Sequence, residues 1–213
     1  MVSNIKIIDY GCGNVESIKR GFNKLNIDCD ISEDLNDLNL ATHLVLPGVG
    51  AFKNAMNKLR EKKFLRLILE HNKKNKPLLG ICLGMQLLFS KSYEFGETNG
   101  LDIFKGEVCK LNSINEKTYK VPNIGWYSLE KNLNSDENSK IQNLNNGEYY
   151  HVHSYYCKPV IEKYISHFIN FDKKKICVAY KFKNVLGVQF HPEKSRDAGL
   201  DFLKYFASIK SNV

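Results

Sequence analysis

The 213-residue sequence predicts an α/β fold: a central, mostly parallel sheet flanked by helices, with an added antiparallel portion. Three observations carry the prediction. Short apolar runs at residues 5–9, His43–Leu46 and Leu78–Ile81 each pass through a glycine-containing turn into a helix-forming stretch, which is the repeat of a parallel sheet with crossover helices. From Gly100 to about Gly187 the pattern changes to successive strand-like segments parted by polar stretches. No composition break or internal repeat divides the chain, so a single domain over 1–213 is expected.

The elements follow in order. Residues 5–9 (IKIID) form a first strand, and Tyr10-Gly11-Cys12-Gly13-Asn14 turns into an amphipathic helix over 15–25. Gly11-x-Gly13 lacks the third glycine of a dinucleotide fingerprint, since Glu16 stands there, so the segment reads as a tight turn on the ligand-binding edge. A second strand covers 27–31, followed by an acidic, Asn-rich loop through Leu40. His43–Leu46 is the third strand and ends in Pro47-Gly48-Val49-Gly50, where two glycines let backbone N–H groups turn toward a ligand. Residues 52–71 are helical, as one helix or two. Leu78–Ile81 is a buried strand, and the apolar run from Leu83 starts a helix ending before Gly96. Strands are expected over 101–111, 119–121, 127–130, 148–152, 165–168 and 176–182, with 132–146 a polar stretch. Residues 185–190 form a last strand, and 199–210 a closing helix with Leu200, Leu203, Phe206 and Ala207 on one face.

Between the strand and helix of the Lys76 to Phe89 segment (KPLLGICLGMQLLF) sits Cys82, with Gly80 and Gly84 two residues away on each side. This is a nucleophile elbow with cysteine in place of serine. A sharp strand-to-helix turn strains its apex residue and leaves no room for side chains two positions off. The sulfur is lifted to a helix N-terminus, where N–H groups and the helix dipole favour thiolate and offer a donor to a developing oxyanion. Alone, the pattern fits a buried structural cysteine as well. The end of the last strand shifts the balance. A cysteine nucleophile needs a base and a group to hold that base, and His191-Pro192-Glu193 supplies both in three residues. The proline pushes His191 toward extended backbone, so His191 and Glu193 project to one side. A glycine turn such as Val49-Gly50 would supply the second arm of an oxyanion hole. His151-x-His153 with Cys157 offers a zinc alternative, but no fourth ligand has zinc-site spacing, and neither metal nor cofactor is expected.

Bulk composition excludes several classes. Hydrophobic content of 43% is ordinary for a globular protein, and no apolar run approaches a membrane span of about 20 residues. The N-terminus reads as a strand, not a signal peptide, and six scattered cysteines without a C-x-x-C pair fit reduced thiols, so a cytoplasmic location is expected. The formal charge of +8 comes from lysines dispersed among asparagines, without a basic stripe or interleaved aromatics, so nucleic-acid binding is not expected.

Taken together, DYGCGN (residues 9–14), LPGVGAF (46–52), GICLGMQLL (80–88), VPNIGW (121–126), HVHSYY (151–156) and GVQFHPEKS (187–195) resemble the motifs of class I (triad) glutamine amidotransferases, in that order and spacing. The likeness covers essentially the whole chain. It is strongest to the branch of glutaminase subunits of imidazole glycerol phosphate synthase. The resemblance implies a flavodoxin-like fold and hydrolysis of glutamine to glutamate and ammonia by Cys82, His191 and Glu193. It implies an oxyanion hole from Leu83 and the Val49-Gly50 turn, and glutamine-holding positions at Gln86, Ser154 and Tyr155. It also implies a heterodimer with a (β/α)8-barrel synthase (cyclase) subunit that receives the ammonia, with Asn123, Trp126 and Tyr127 near the interface. Two positions depart from the family's V-P-H-[IM]-G-W-N: Asn123 replaces His and Tyr127 replaces Asn. They leave the triad intact and bear on the acceptor reaction, so a paralogue feeding ammonia to a sugar-modifying enzyme of surface glycans is the alternative.

Overall fold

The computed structural model describes residues 3–111, 120–142, 144 and 147–211. Its first half alternates strand and helix: β1 (Ile5–Ile8), α1 (Val15–Asn23), β2 (Cys29–Ser32), α2 (Leu35–Asn39), β3 (His43–Leu46), α3 (Phe52–Glu61), α4 (Phe64–Lys73), β4 (Leu78–Ile81) and α5 (Leu83–Leu87). Then come β5 (Phe89–Ser92), β6 (Thr98–Asn99), β7 (Phe104–Lys110), β8 (Asn123–Ser128), β9 (Glu130–Lys131), β10 (Glu148–His153), β11 (Tyr155–Pro159), β12 (Ile165–Phe171) and β13 (Lys174–Phe182). The chain ends with β14 (Val185–Val188) and α6 (Arg196–Ser208).

Strands β2, β1, β3, β4 and β14 lie side by side in that order, all parallel. This is the flavodoxin-like winding, with the late strand β14 in fifth place. The antiparallel portion continues the same sheet through β13, β11 and β7 to β5 and β6, with β12 and β9 branching from β13. Strands β8 and β10 pair separately as a two-stranded antiparallel ribbon.

Alternation along the strands sorts side chains onto two faces. Ile5, Ile7, Val45, Leu79 and Ile81 pack with Ile18 and Phe22 of α1 and Phe202, Leu203 and Phe206 of α6. Ile8, Leu44, Leu46 and Leu78 pack on the opposite face with Leu38, Phe52, Leu59, Phe64 and Ile68 of α2, α3 and α4. A smaller cluster of Leu111, Ile169, Ile176 and Val178 lies under the antiparallel portion. Such parallel packing leaves the C-terminal ends of β1, β3, β4 and β14 on one edge, where open α/β sheets bind ligands.

Several expectations are corrected. The run after Cys82 is not helical toward Gly96: α5 stops at Leu87 and the chain becomes β5. The carbonyls of Leu87 and Leu88 accept bonds from Leu101 N and Phe104 N, both at 2.8 Å, so tertiary pairing captures the helix end. The acidic loop before Leu40 contains α2, capped by Asp34, whose side chain accepts from Asp37 N at 2.8 Å. The helical 52–71 segment, expected as one helix or two, is two, split where Lys63 takes a left-handed φ of 62°. The strand expected at 119–121 is not formed at 120 and 121, and Tyr119 lies outside the described residues, as do 143, 145 and 146 of the 132–146 stretch. No helix among the described residues is long and apolar enough to cross a membrane.

Candidate active site

Cys82 joins β4 to α5 with φ 54° and ψ −109°, the strained elbow conformation the glycine spacing requires. Its backbone N–H is fastened to Val188 O of β14 at 2.8 Å. A Cβ at Gly80 would lie 2.7 Å from Gly84 O, and one at Gly84 only 1.9 Å from Leu46 O. Both glycines are therefore demanded by close backbone approach.

His191 follows β14 and reaches the same edge. Its backbone is clamped on both sides: N donates to Tyr150 O at 2.9 Å, and its carbonyl accepts from Ser195 Oγ at 2.6 Å. The ring Nδ1 meets Glu193 Oε1 at 2.8 Å, with the two side chains only 4% and 1% exposed. That bond occupies Nδ1 and leaves Nε2 without a hydrogen-bond partner among the described residues and available to act on Cys82. Burial works against the charged ring. Hydrogen bonding and Coulombic attraction from Cys82 and Glu193 outweigh it and hold the His191 pKa up at about 10. The imidazolium is thus stabilised where a charged acid is useful.

Cys82, His191, Leu83, Val49, Gly50, Gln86, Ser154 and Tyr155 all line one cavity of about 270 Å³. The structure therefore brings together the candidate nucleophile, the candidate base and every oxyanion-hole and glutamine-holding candidate, with Glu193 behind His191. The loop after β3 is pressed onto the start of α5: a Cβ at Gly48 would be 2.8 Å from both Gly84 N and Leu83 Cβ. Tyr10 Oη donates to Pro47 O at 2.8 Å and anchors that loop. Gly50 has φ 96° with nothing within 4 Å of a Cβ, so the second turn residue has room to reorient.

Two residues escaped the sequence reading. Gln189 is fully buried beside Cys82, its Nε2 3.7 Å from Cys82 Sγ and its Oε1 accepting from Gln86 Nε2 at 3.0 Å. Its signal was a polar residue inside an apolar strand. Gln86 Nε2 also donates to Tyr155 O at 3.2 Å. Both amide protons of Gln86 are thus engaged and its Oε1 is left as an acceptor. Glu94, from the loop after β5, lines the cavity and accepts from Phe52 N at 2.5 Å. No local pattern singled it out.

The remaining candidates lie on the β8–β10 ribbon. Asn123 and Tyr127 share its inner face and bond each other, Tyr127 Oη donating to Asn123 Oδ1 at 2.6 Å. Trp126 stands on the outer face, 38% exposed, beside the 60% exposed Ile124. His151 and His153, the zinc alternative, are buried on the inner face. Burial lowers the pKa of both, that of His153 to about 4. No group of three or more His, Cys, Asp or Glu among the described residues is placed to hold a metal ion.

Comparison with known proteins agrees with this geometry. The family model "Glutamine amidotransferase class-I" matches residues 6–207. Imidazole glycerol phosphate synthase subunit HisH of Chlorobaculum tepidum is 41% identical over 95% of this chain and 98% of its own length. The protein of that name from Lactococcus lactis is 41% identical over 96% and 98%. HisH 1 of Legionella pneumophila is 36% identical over 98% and 100%. A crystal structure of a glutamine amidotransferase superposes with TM-score 0.71 at 18% identity, covering 96% of this chain and 99% of the other. One from Thermotoga maritima gives TM-score 0.60 at 19% identity over 97% and 83%, a likeness of fold. With its elbow cysteine, its His-Glu pair and a family match running nearly end to end, the chain belongs to the class-I glutamine amidotransferases.

Proposed function

We propose that this chain is the glutaminase subunit of a histidine-biosynthesis synthase. It would hydrolyse glutamine through Cys82, His191 and Glu193 and pass the ammonia to a (β/α)8-barrel synthase (cyclase) subunit in a cytoplasmic heterodimer. That partner would make imidazole glycerol phosphate and aminoimidazole-carboxamide ribotide. The observation that carries the glutaminase reading is the shared cavity: an elbow cysteine faces a histidine whose other nitrogen is held by a buried carboxylate. The acceptor reading rests on the HisH relatives.

In the proposed reaction, Cys82 Sγ attacks the carboxamide carbon of glutamine. The oxyanion receives N–H bonds from Leu83 at the start of α5 and from the Val49-Gly50 turn. His191 gives a proton to the departing nitrogen, a thioester remains on Cys82, and His191 then takes a proton from water as it attacks. Glu193 keeps the imidazole in the tautomer and orientation that both steps need. The free Oε1 of Gln86 and the Glu94 carboxylate suit the α-ammonium of glutamine, and Ser154 and Tyr155 close the other side of the pocket. Ile124 and Trp126 give the ribbon an apolar outer face on which the partner would seat.

The test is glutamate release by the purified chain in three settings: alone, with the barrel subunit, and with that subunit plus its nucleotide substrate. Strong stimulation in the third supports the histidine-pathway assignment. Competent hydrolysis without stimulation would move the acceptor to a sugar-modifying enzyme, and no glutamate in any setting would overturn the glutaminase reading.

A further inference from the structure

The inner face of the β8–β10 ribbon holds an unusual concentration of buried polar atoms with no hydrogen-bond partner among the described residues. Asn123 Nδ2, both ring nitrogens of His151 and Nε2 of His153 are among them, with His191 Nε2 close by. Buried groups of this kind each cost about 1–3 kcal/mol unless something satisfies them, so a cluster beside a nucleophile calls for a guest.

The hydrogen-bonding roles at two of these atoms are fixed by their neighbours. His153 Nδ1 lies 2.8 Å from Tyr155 O. A carbonyl only accepts, so Nδ1 carries the proton. Burial keeps the ring neutral at pH 7, with a pKa of about 4, and Nε2 is therefore a bare lone pair. Directly across the ribbon stands Asn123, paired in register with His153. Tyr127 Oη occupies its Oδ1 at 2.6 Å, leaving Nδ2 as a donor. Opposed residues of an antiparallel pair share a face with Cβ atoms about 4.5–5.5 Å apart. An unpaired acceptor and an unpaired donor thus stand opposite each other on the ribbon's buried face, and His153 also lines the Cys82 cavity.

We propose that His153 Nε2 and Asn123 Nδ2 form a holding station for neutral ammonia beside the thioester. Ammonia donates to the first and accepts from the second. Ammonium has no lone pair for Asn123, so the station selects the form that is a nucleophile. Water makes the same two bonds and occupies the station between turnovers. The proposal rests on the glutaminase reading of Cys82 and adds to it where the leaving nitrogen goes first.

Reversal of the first half-reaction tests it. Ammonia attacks the thioester carbonyl, a C–N bond forms, the C–S bond breaks and its electron pair returns to Cys82. His191 takes the surplus proton. The chain is supplied with unlabelled glutamine and 15N-ammonium chloride at alkaline pH, together with its partner subunit. The quantity read is 15N entering the glutamine carboxamide divided by glutamate released. In the wild type this ratio should saturate with ammonia. His153→Asn keeps a donor for Tyr155 O but deletes the Nε2 acceptor. Asn123→Leu keeps the volume but deletes the donor. Each should lower the ratio about tenfold, the effect of one lost hydrogen bond. Asn123→His, which restores an N–H donor, should recover most of it. Because the ratio compares two fates of one thioester, a merely structural role would leave it unchanged. A wild-type ratio in either variant that still releases glutamate overturns the station, and the two variants are independent should one fail to fold. If the wild type releases no glutamate, the glutaminase reading fails first and visibly, and the station falls with it.

Discussion

Replacing Glu193 with Gln removes one charge while nearly preserving shape, and its consequence can be worked from the geometry. His191 sits at about 10 in the folded chain against an ordinary 6.5, which corresponds to stabilisation of the imidazolium on the order of 5 kcal/mol, net of burial, at 1.36 kcal/mol per pH. Cys82 and Glu193 share that effect. Assigning Glu193 about half, E193Q should move the alkaline limb of kcat/KM about two pH values lower and reduce its plateau at least tenfold. A larger rate loss is expected if the Gln amide donates to Nδ1 and imposes the wrong tautomer. The sign for stability follows from the raised folded pKa. The stabilisation is fully present below about 6.5 and is lost as pH rises through about 10. Wild-type chain should therefore lose stability on the alkaline side, and E193Q should lose less over the same interval. The assays are glutamate release from pH 6 to 11 and urea unfolding across that range. An alkaline limb unmoved in E193Q, with kcat/KM within twofold of wild type, would refute the reasoning.

Other outcomes follow from the same geometry. Cys82→Ala should abolish glutamate release while leaving ammonia-dependent synthesis by the partner intact; retained glutaminase activity would reject Cys82 as the nucleophile. Limiting alkylation at pH 7 followed by peptide mapping should find Cys82 before Cys29, Cys109, Cys157 and Cys177, whose thiols burial pushes up, and protection by glutamine should follow. Gly84→Ala places a methyl 1.9 Å from Leu46 O, so a loss of several kcal/mol in chemical unfolding is expected, well above the cost of an ordinary surface change. Glu94→Gln should raise the KM for glutamine about tenfold with a smaller change in kcat, as loss of a charge facing an ammonium requires; an unchanged KM would remove Glu94 from the substrate site.

Strands β1, β3 and β4 of the parallel half were legible because each is a short apolar run followed within a few residues by a glycine or a proline, whereas β2, expected at 27–31, has neither and runs Cys29–Ser32. His43–Leu46 and Leu78–Ile81 appear with the boundaries expected. What failed was decided elsewhere in the chain. Leu87, Leu88 and Phe89 are equally apolar and equally buried, and no periodicity separates the end of α5 from the start of β5. Pairing with residues 101 and 104 makes that decision. By contrast, the segment expected as a loop before Leu40 carries a local signal for α2 that the reading did not use, since Asp34 stands three residues before Asp37 as a cap. In the site, Cys82, His191 and Glu193 were legible because the elbow and the His-Pro-Glu turn are local patterns. Glu94 was not, because it reaches the cavity only through the course of the loop between β5 and β6.

The two departures from the family pattern show the same limit more sharply. In sequence, Asn123 and Tyr127 are separate substitutions in a segment associated with the partner. In the fold they are one feature. Both side chains lie on the inner face of the ribbon, Tyr127 passes over Gly125, where a Cβ would be 3.2 Å from its ring, and its hydroxyl closes on the Asn123 amide. The same ring packs edge-on against His151 at 5.3 Å. On the outer side of the same strand, Ile124 and Trp126 are exposed. A change of partner would be expected to rewrite exposed residues such as these first, since an interface is built on surface side chains. The rewriting is on the inner face, beside His153 and the nucleophile. The departures therefore bear on how the site handles its small polar contents more directly than on which enzyme docks against it.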